Sequence, residues 1–253
     1  MPHEAWSRRA VLGAMAASSL VGPDAWALGA ASQVDIAELA IPGASIHRAA
    51  AWQRLLFELI QTTSVEANPE TVQIAPEDPN LFAHPFTVLI GRDALPPMSD
   101  DGVEQLRRYV SYGGFLFFDD ASGSRDGPFA QSVRALCRQL FPTRPMTPLP
   151  GDHSLYRAFF LLERPVGRVA VSEVLEGVTR GPVTPIVYCP NDLSGALHRG
   201  EDGRDRFPVV PNGELQRREA VKLGVNLVMY SLTSNYKHDQ AHVLELMRDG
   251  KLE

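Results

Sequence analysis

Two adjacent acids close the stretch YVSYGGFLFFDD, which runs from Tyr109 to Asp120. Four apolar residues precede them, so Asp119 and Asp120 stand at the end of a run that reads as a buried strand. Carboxylates in that position support three kinds of role. They can bind a hard divalent cation through oxygen, with Asn191 and Asp192 as further ligands. One can act as a general acid or base, its pKa raised by apolar neighbours and like charge. Or they can accept hydrogen bonds from loop N–H groups and cap the next segment. Successive strand residues point to opposite faces, so the two acids are not expected to share one site. Asp120 is the expected ligand-facing residue and Asp119 the structural one.

A second polar stretch, YCPNDLSGAL, begins at Tyr188. Pro190 fixes a turn, and Asn191 and Asp192 tolerate tight backbone geometry. Two readings stand for it: a connecting turn, or a loop that presents Asn191, Asp192 and Ser194 to a ligand. A third stretch, PGDHSLYRAF, offers His153 as a base, a metal ligand or a helix-start residue. The catalytic candidates are therefore Asp120, His153 and Asp192, and the metal candidates Asp120 and Asp192. The seven histidines show no metal-binding spacing such as His-x-x-x-His, and there is no Cys-x-x-Cys. Gly-x-Ser-x-Gly, Gly-x-x-x-x-Gly-Lys and Gly-x-Gly-x-x-Gly are also missing.

The elements that must position these residues alternate in type. Val34 to Gly43 alternates apolar and polar residues and stops at Pro-Gly, as a strand does. The stretch HRAAAWQRLLFELIQTTS carries Trp52, Leu55, Leu56, Leu59 and Ile60 at helical spacing. A proline-rich loop follows, with a short strand at Thr71 to Ile74. Phe86 to Gly91 is fully apolar and reads as a central strand. Ser99 caps a helix that Gly113 stops. Phe115 to Phe118 is a strand, Pro128 opens a helix, and Pro185 to Cys189 is a third apolar strand. ELQRREAVKLGVNLVMYSLT and HDQAHVLELMRDG read as two further helices. This alternation predicts an α/β domain: a mostly parallel central sheet with helices on both faces, a flavodoxin-like three-layer sandwich. In such sheets ligands bind outside the carboxyl ends of the strands. That rim receives Arg92 and Asp93, the two acids, and the Asn191 to Ser194 loop.

Hydrophobic residues make up 44% of the 253 positions, enough for one substantial core. The net charge of -6 argues against nucleic acid as the partner. Residues 1–27 read as a signal peptide: Arg8 and Arg9, an apolar stretch to Val21, then Ala25-Trp26-Ala27. The paired arginines resemble a twin-arginine export signal. The apolar stretch is shorter than the ~20 residues that cross a bilayer, so the cleaved chain is expected in the periplasm and not as an integral membrane protein. Cys137 and Cys189 are expected as two buried free thiols.

The motifs LRRYVSYGGFLFFDD, LFP, GDHSLYRAFF, YCPNDLSGAL and LGVNLVMYSLT, in that order, resemble the bacterial family DUF4159. The resemblance covers residues 34–233, leaving 234–253 as a C-terminal helix and tail. It implies a variant of the class I glutamine amidotransferase-like fold. The segment around YVSYGGFLFFDD is also similar to trehalose-utilisation-type proteins of that superfamily. Many family members carry this domain at the end of longer envelope proteins with a von Willebrand A-type domain. This chain departs from them as a short, exported, stand-alone copy. Where an amidotransferase nucleophile would follow a strand, it has Asp119-Asp120-Ala121-Ser122. The expectation is a domain that binds a small ligand or an envelope protein partner at the rim without a Cys or Ser nucleophile. The alternative is a hydrolase assisted by a divalent cation held by rim carboxylates.

Overall fold

The computed structural model describes residues 33–248, with side chains up to residue 234. The proposed signal segment lies outside the described residues. Seven strands form one sheet in the order β2-β1-β3-β4-β7-β6-β5. They are β1 (Val34–Leu39), β2 (Ala67–Ile74), β3 (Phe86–Gly91), β4 (Phe115–Asp120), β5 (Thr147–Pro148), β6 (Glu176–Arg180) and β7 (Val183–Cys189). The helices are α1 (Ala49–Thr62), α2 (Asp100–Ser111), α3 (Pro128–Leu140), α4 (Leu193–Leu197) and α5 (Gly213–Arg248). The sheet is parallel from β2 through β7, and β6 and β5 add an antiparallel edge.

Strand order explains the two helical layers. From β1 the chain moves one way to β2, and from β3 it moves the other way to β4. Crossovers of one hand then put α1 and α2 on opposite faces. Trp52, Leu55 and Leu56 of α1 pack with Leu223 and Leu227 of α5 over Phe115 and Phe117. Val103 and Leu106 of α2 pack with Phe129 and Val133 of α3 over Leu116 and Phe118. The sequence expectation of a mostly parallel sheet covered on both sides therefore holds. Cys189 belongs to the first cluster and Cys137 to the second, and both thiols are free.

Several boundaries differ from the expectation. β2 starts at Ala67, earlier than Thr71, and tolerates Pro69 because it is an edge strand. β6, joined to β7 by a hairpin turned by Gly181 at φ 58°, is not among the expected strands. The two expected C-terminal helices are one continuous α5. Among the described residues, no helix is long and apolar enough to cross a membrane.

The carboxyl ends of β1 and β3 flank the point where strand order reverses, the usual ligand crevice of such folds. Here the chain fills it. Ser45 bridges Gly91, and the Ile46 N–H donates to the Ile90 carbonyl at 2.8 Å. Gly91 is a further point of close packing. A Cβ at that position would lie 2.1 Å from Cε2 of Phe129, a ring on the buried face of α3. Gly91→Ala should cost about 1–3 kcal/mol by overpacking. Thermal unfolding should show a fall of several degrees, and an unchanged Tm would mean the ring has room to move.

Candidate functional site

β7 ends at Cys189, and the chain turns sharply through Asn191 and Asp192. Asp192 adopts a left-handed backbone, φ 56° and ψ 64°, which Asp tolerates better than most residues. Its side chain caps α4, with Oδ1 accepting from the Gly195 N–H at 3.1 Å. The same oxygen pairs with Arg48 Nη1, and Oδ2 pairs with Arg168 Nε. Arg48 comes from the residue before α1, and Arg168 from the loop after β5. Asp192 is fully buried, so both oxygens of a carboxylate placed on the rim are spent on guanidiniums.

Neighbouring groups complete this buried lock. Arg48 Nη1 also donates to Ser194 Oγ at 3.0 Å, and its guanidinium lies 5.0 Å from the Phe207 ring centre. Glu38, at the end of β1, accepts the Arg48 N–H at 2.7 Å, and burial raises its pKa. Asn191 holds the 165–172 loop through all its donors and acceptors. Oδ1 accepts from the N–H groups of Val171 and Ser172, and Nδ2 donates to the carbonyls of Pro165 and Ser172.

Asp119 and Asp120 occupy opposite faces of the sheet, as strand alternation requires. Asp119 accepts from the N–H groups of Leu193 and Ser194 at 2.7 and 2.8 Å, on the α4 side. Burial, and then the charge of Asp192, push its pKa up to about 7, while the hydrogen bonds at Ser194 and the charge of Arg48 pull the other way. Asp120 faces the α3 side. It accepts from the Ser122 N–H at 2.9 Å and from the Tyr188 hydroxyl at 2.7 Å. Burial raises the Asp120 pKa, and burial together with this carboxylate holds the Tyr188 hydroxyl far above its ordinary range.

Among the sequence candidates, the structure brings Asp119, Asp192 and Ser194 together. Asn191 adjoins them, Asp120 is behind the sheet, and His153 is elsewhere. His153 caps a short 3-10 turn by accepting from the Leu155 N–H, and its Nε2 bonds Thr184 Oγ1 at 3.0 Å. Thr184 begins the same strand whose far end carries Asn191 and Asp192, so His153 sits at the opposite end of the sheet. Burial lowers its pKa and favours the neutral ring. Arg92 and Asp93 are exposed on the rim. Asp119, Asp120, Asn191, Asp192 and Ser194 have no exposed surface. Among the described residues, no three His, Cys, Asp or Glu side chains are grouped to hold a metal ion.

The open part of the rim lies beside this lock. A hollow of about 770 Å³ runs between the start of α1 and the 198–206 loop, lined by Gln53, His198, Arg199 and Arg206 with Glu201 and Asp202. A second hollow of about 440 Å³ shares Gln53 and Arg199 and adds Arg54 and Phe57. Asp205 serves three cations here: Arg54 at 2.9 Å, Arg199 at 3.4 Å and Arg217 at 3.2 Å. His198 Nδ1 is buried without a hydrogen-bond partner. Burial, then the charges of Arg48 and Arg206, lower the His198 pKa. These residues, with Arg48 and Arg168, were not among the sequence candidates. The visible signal was the charge-dense run RGEDGRDR from Arg199 to Arg206.

The family model described as Domain of unknown function (DUF4159) matches residues 35–232. No curated protein matches the chain.

Proposed function

The chain belongs to the DUF4159 family, and we propose that it is an exported, non-covalent binding domain for a carboxylate-rich ligand. That ligand is a small molecule or an acidic segment of an envelope partner, taken up in the trough between α1 and the 198–206 loop. The observation that carries this reading is the guanidinium cluster there, whose members outnumber the carboxylate they share. Arg54, Arg199 and Arg217 share Asp205, and Arg206 lines the adjoining hollow beside Glu201 and Asp202. Guanidinium groups match carboxylates in geometry as well as charge. Phe57, 58% exposed at the neighbouring hollow, supplies apolar contact. The export route and the amidotransferase-like superfamily placement are parts of the same proposal, supported by the signal-like residues 1–27 and by the layered sheet.

The two cysteine thiols lend no support to covalent catalysis. The Cys137 thiol is pushed up to about 12 by burial, and Cys189 is raised well above its ordinary value for the same reason. Neither supplies a thiolate at neutral pH. The cation-assisted alternative draws little support, because Asp192 and Asp120 already spend their oxygens on internal donors.

Fluorescence anisotropy with a labelled poly-glutamate peptide tests the proposal. Residues 28–253 should bind it in preference to poly-lysine, more weakly as salt rises. The double variant Arg199→Glu, Arg206→Glu should lose at least ~10-fold in affinity, about 1.4 kcal/mol. Equal affinity in the variant, or no binding at all, would overturn the reading. Mg²⁺, Ca²⁺, Mn²⁺ and Zn²⁺ should leave the Tm unchanged. A rise that vanishes in Asp120→Asn would restore the hydrolase reading.

A further inference from the structure

A second concave site lies at the amino ends of β4 and β7, opposite the rim. Its volume is about 240 Å³, and Arg144, Arg180, Val110, Gly181 and Ser231 are among its walls. Arg144 belongs to the turn that follows α3, and Arg180 is the last residue of β6. The sequence brings both cations to one spot through the β6–β7 hairpin and the chain entering β5.

Their surroundings are unusual for paired arginines. Neither guanidinium lies within 4.0 Å of a carboxylate among the described residues, although eleven guanidinium–carboxylate pairs are formed elsewhere. Arg144 Nη1 has one backbone contact, to the Thr179 carbonyl at 3.3 Å. Arg180 Nη1 reaches the Val110 carbonyl at 3.5 Å, the limit of a hydrogen bond. The Arg180 guanidinium is fixed over the Phe141 ring, 5.0 Å from its centre. Among the described residues, most donors of both forks are thus unspent. Burial, and then the charge of Arg144, lower the Arg180 pKa, as expected of a cation held near another.

Two like charges held together above a hollow are stabilised by an anion that fills it. We infer that Arg144 and Arg180 form a binding site for a doubly charged oxyanion of phosphate type, free or as a small phosphomonoester. The fork geometry suits bidentate contact with such oxygens, and the volume is below that of drug-sized ligand pockets, which limits the occupant to a small anion. The site is separate from the trough, and it stands whether or not the trough binds carboxylates.

Isothermal titration of residues 28–253 with inorganic phosphate tests the site, at constant ionic strength. Saturable binding is expected, with sulfate competing and acetate not. Arg144→Gln and Arg180→Gln should each weaken phosphate binding at least ~10-fold. Arg144 is exposed and its replacement leaves the fold intact, so it serves if Arg180→Gln unseats the hairpin. Arg199→Glu with Arg206→Glu should leave phosphate binding unchanged, which separates this site from the trough. A phosphomonoester that binds more tightly than phosphate would extend the site to an esterified ligand. The inference fails if phosphate does not bind, if chloride or acetate protects equally, or if Arg144→Gln binds as the wild type does.

Discussion

Asp192→Ala should lower the unfolding free energy by about 3–5 kcal/mol, the usual result of leaving a buried charge without its partner. Arg48 is 5% exposed and cannot recover water. Arg168, with a quarter of its side chain exposed, recovers some. The substitution also removes a helix cap, about 0.5–2 kcal/mol, and forces Ala into a left-handed conformation, about 1–2 kcal/mol. These contributions share one residue and will not add in full. At about 2–4 °C per kcal/mol for a chain of this size, Tm should fall by about 6–20 °C.

Two further variants apportion the effect. Asp192→Asn keeps the cap and suits the backbone, so its deficit reports the lost charge alone. Arg48→Met combined with Asp192→Asn removes both ends of the buried pair, and should be more stable than Asp192→Asn by itself. Should Asp192→Ala unfold within about 1 kcal/mol of the wild type, the two guanidiniums would not be buried counter-charges, and the rim would be open to a ligand after all.

The sequence placed these residues well and misjudged their company. Phe86 to Gly91 read as a central strand because β-branched and apolar residues fill it without interruption. Ser99 announced its helix, and it does cap it, accepting from the Gly102 N–H at 3.0 Å. The alternation of FLFFDD alone separates Asp119 from Asp120. But Arg48 and Asp192 are 144 positions apart, and spacing carries no information about a pair that distant. A carboxylate at a strand end looks the same in the sequence whether it waits for a ligand or is clamped by arginines from elsewhere. The β6–β7 hairpin was hidden for another reason. EGVTR is half polar and forms a strand only because β7 lies beside it, so its β character is tertiary. The continuous α5 was split in expectation because the apolar spacing lapses around His238 and Asp239, and a change of pattern is not a break in the backbone.

Asp119 should prove the other costly position, with a pH signature of its own. Asp119→Ala leaves the N–H groups of Leu193 and Ser194 buried without acceptors, at about 1–3 kcal/mol each. The titration follows from burial. Native Asp119 keeps its proton up to about pH 7, whereas an unfolded Asp releases it near ~4. Between those values the folded chain binds more protons, so this group's contribution to stability falls as pH rises through the window and is level above it. Glu38 and Asp120, both raised by burial, tilt stability the same way. Asp119→Asn has no carboxyl to titrate, and its amide sets an N–H against one of the two donors. Its deficit relative to wild type should therefore be larger at pH 5 than at pH 8, by about 1–3 kcal/mol. Urea unfolding of both proteins across that range measures the difference directly. A deficit that stays constant with pH would show that Asp119 is ionised throughout, held so by the two N–H donors and Arg48. A deficit that grows with pH would reverse the sign of the burial argument and identify the carboxylate itself as the stabilising form.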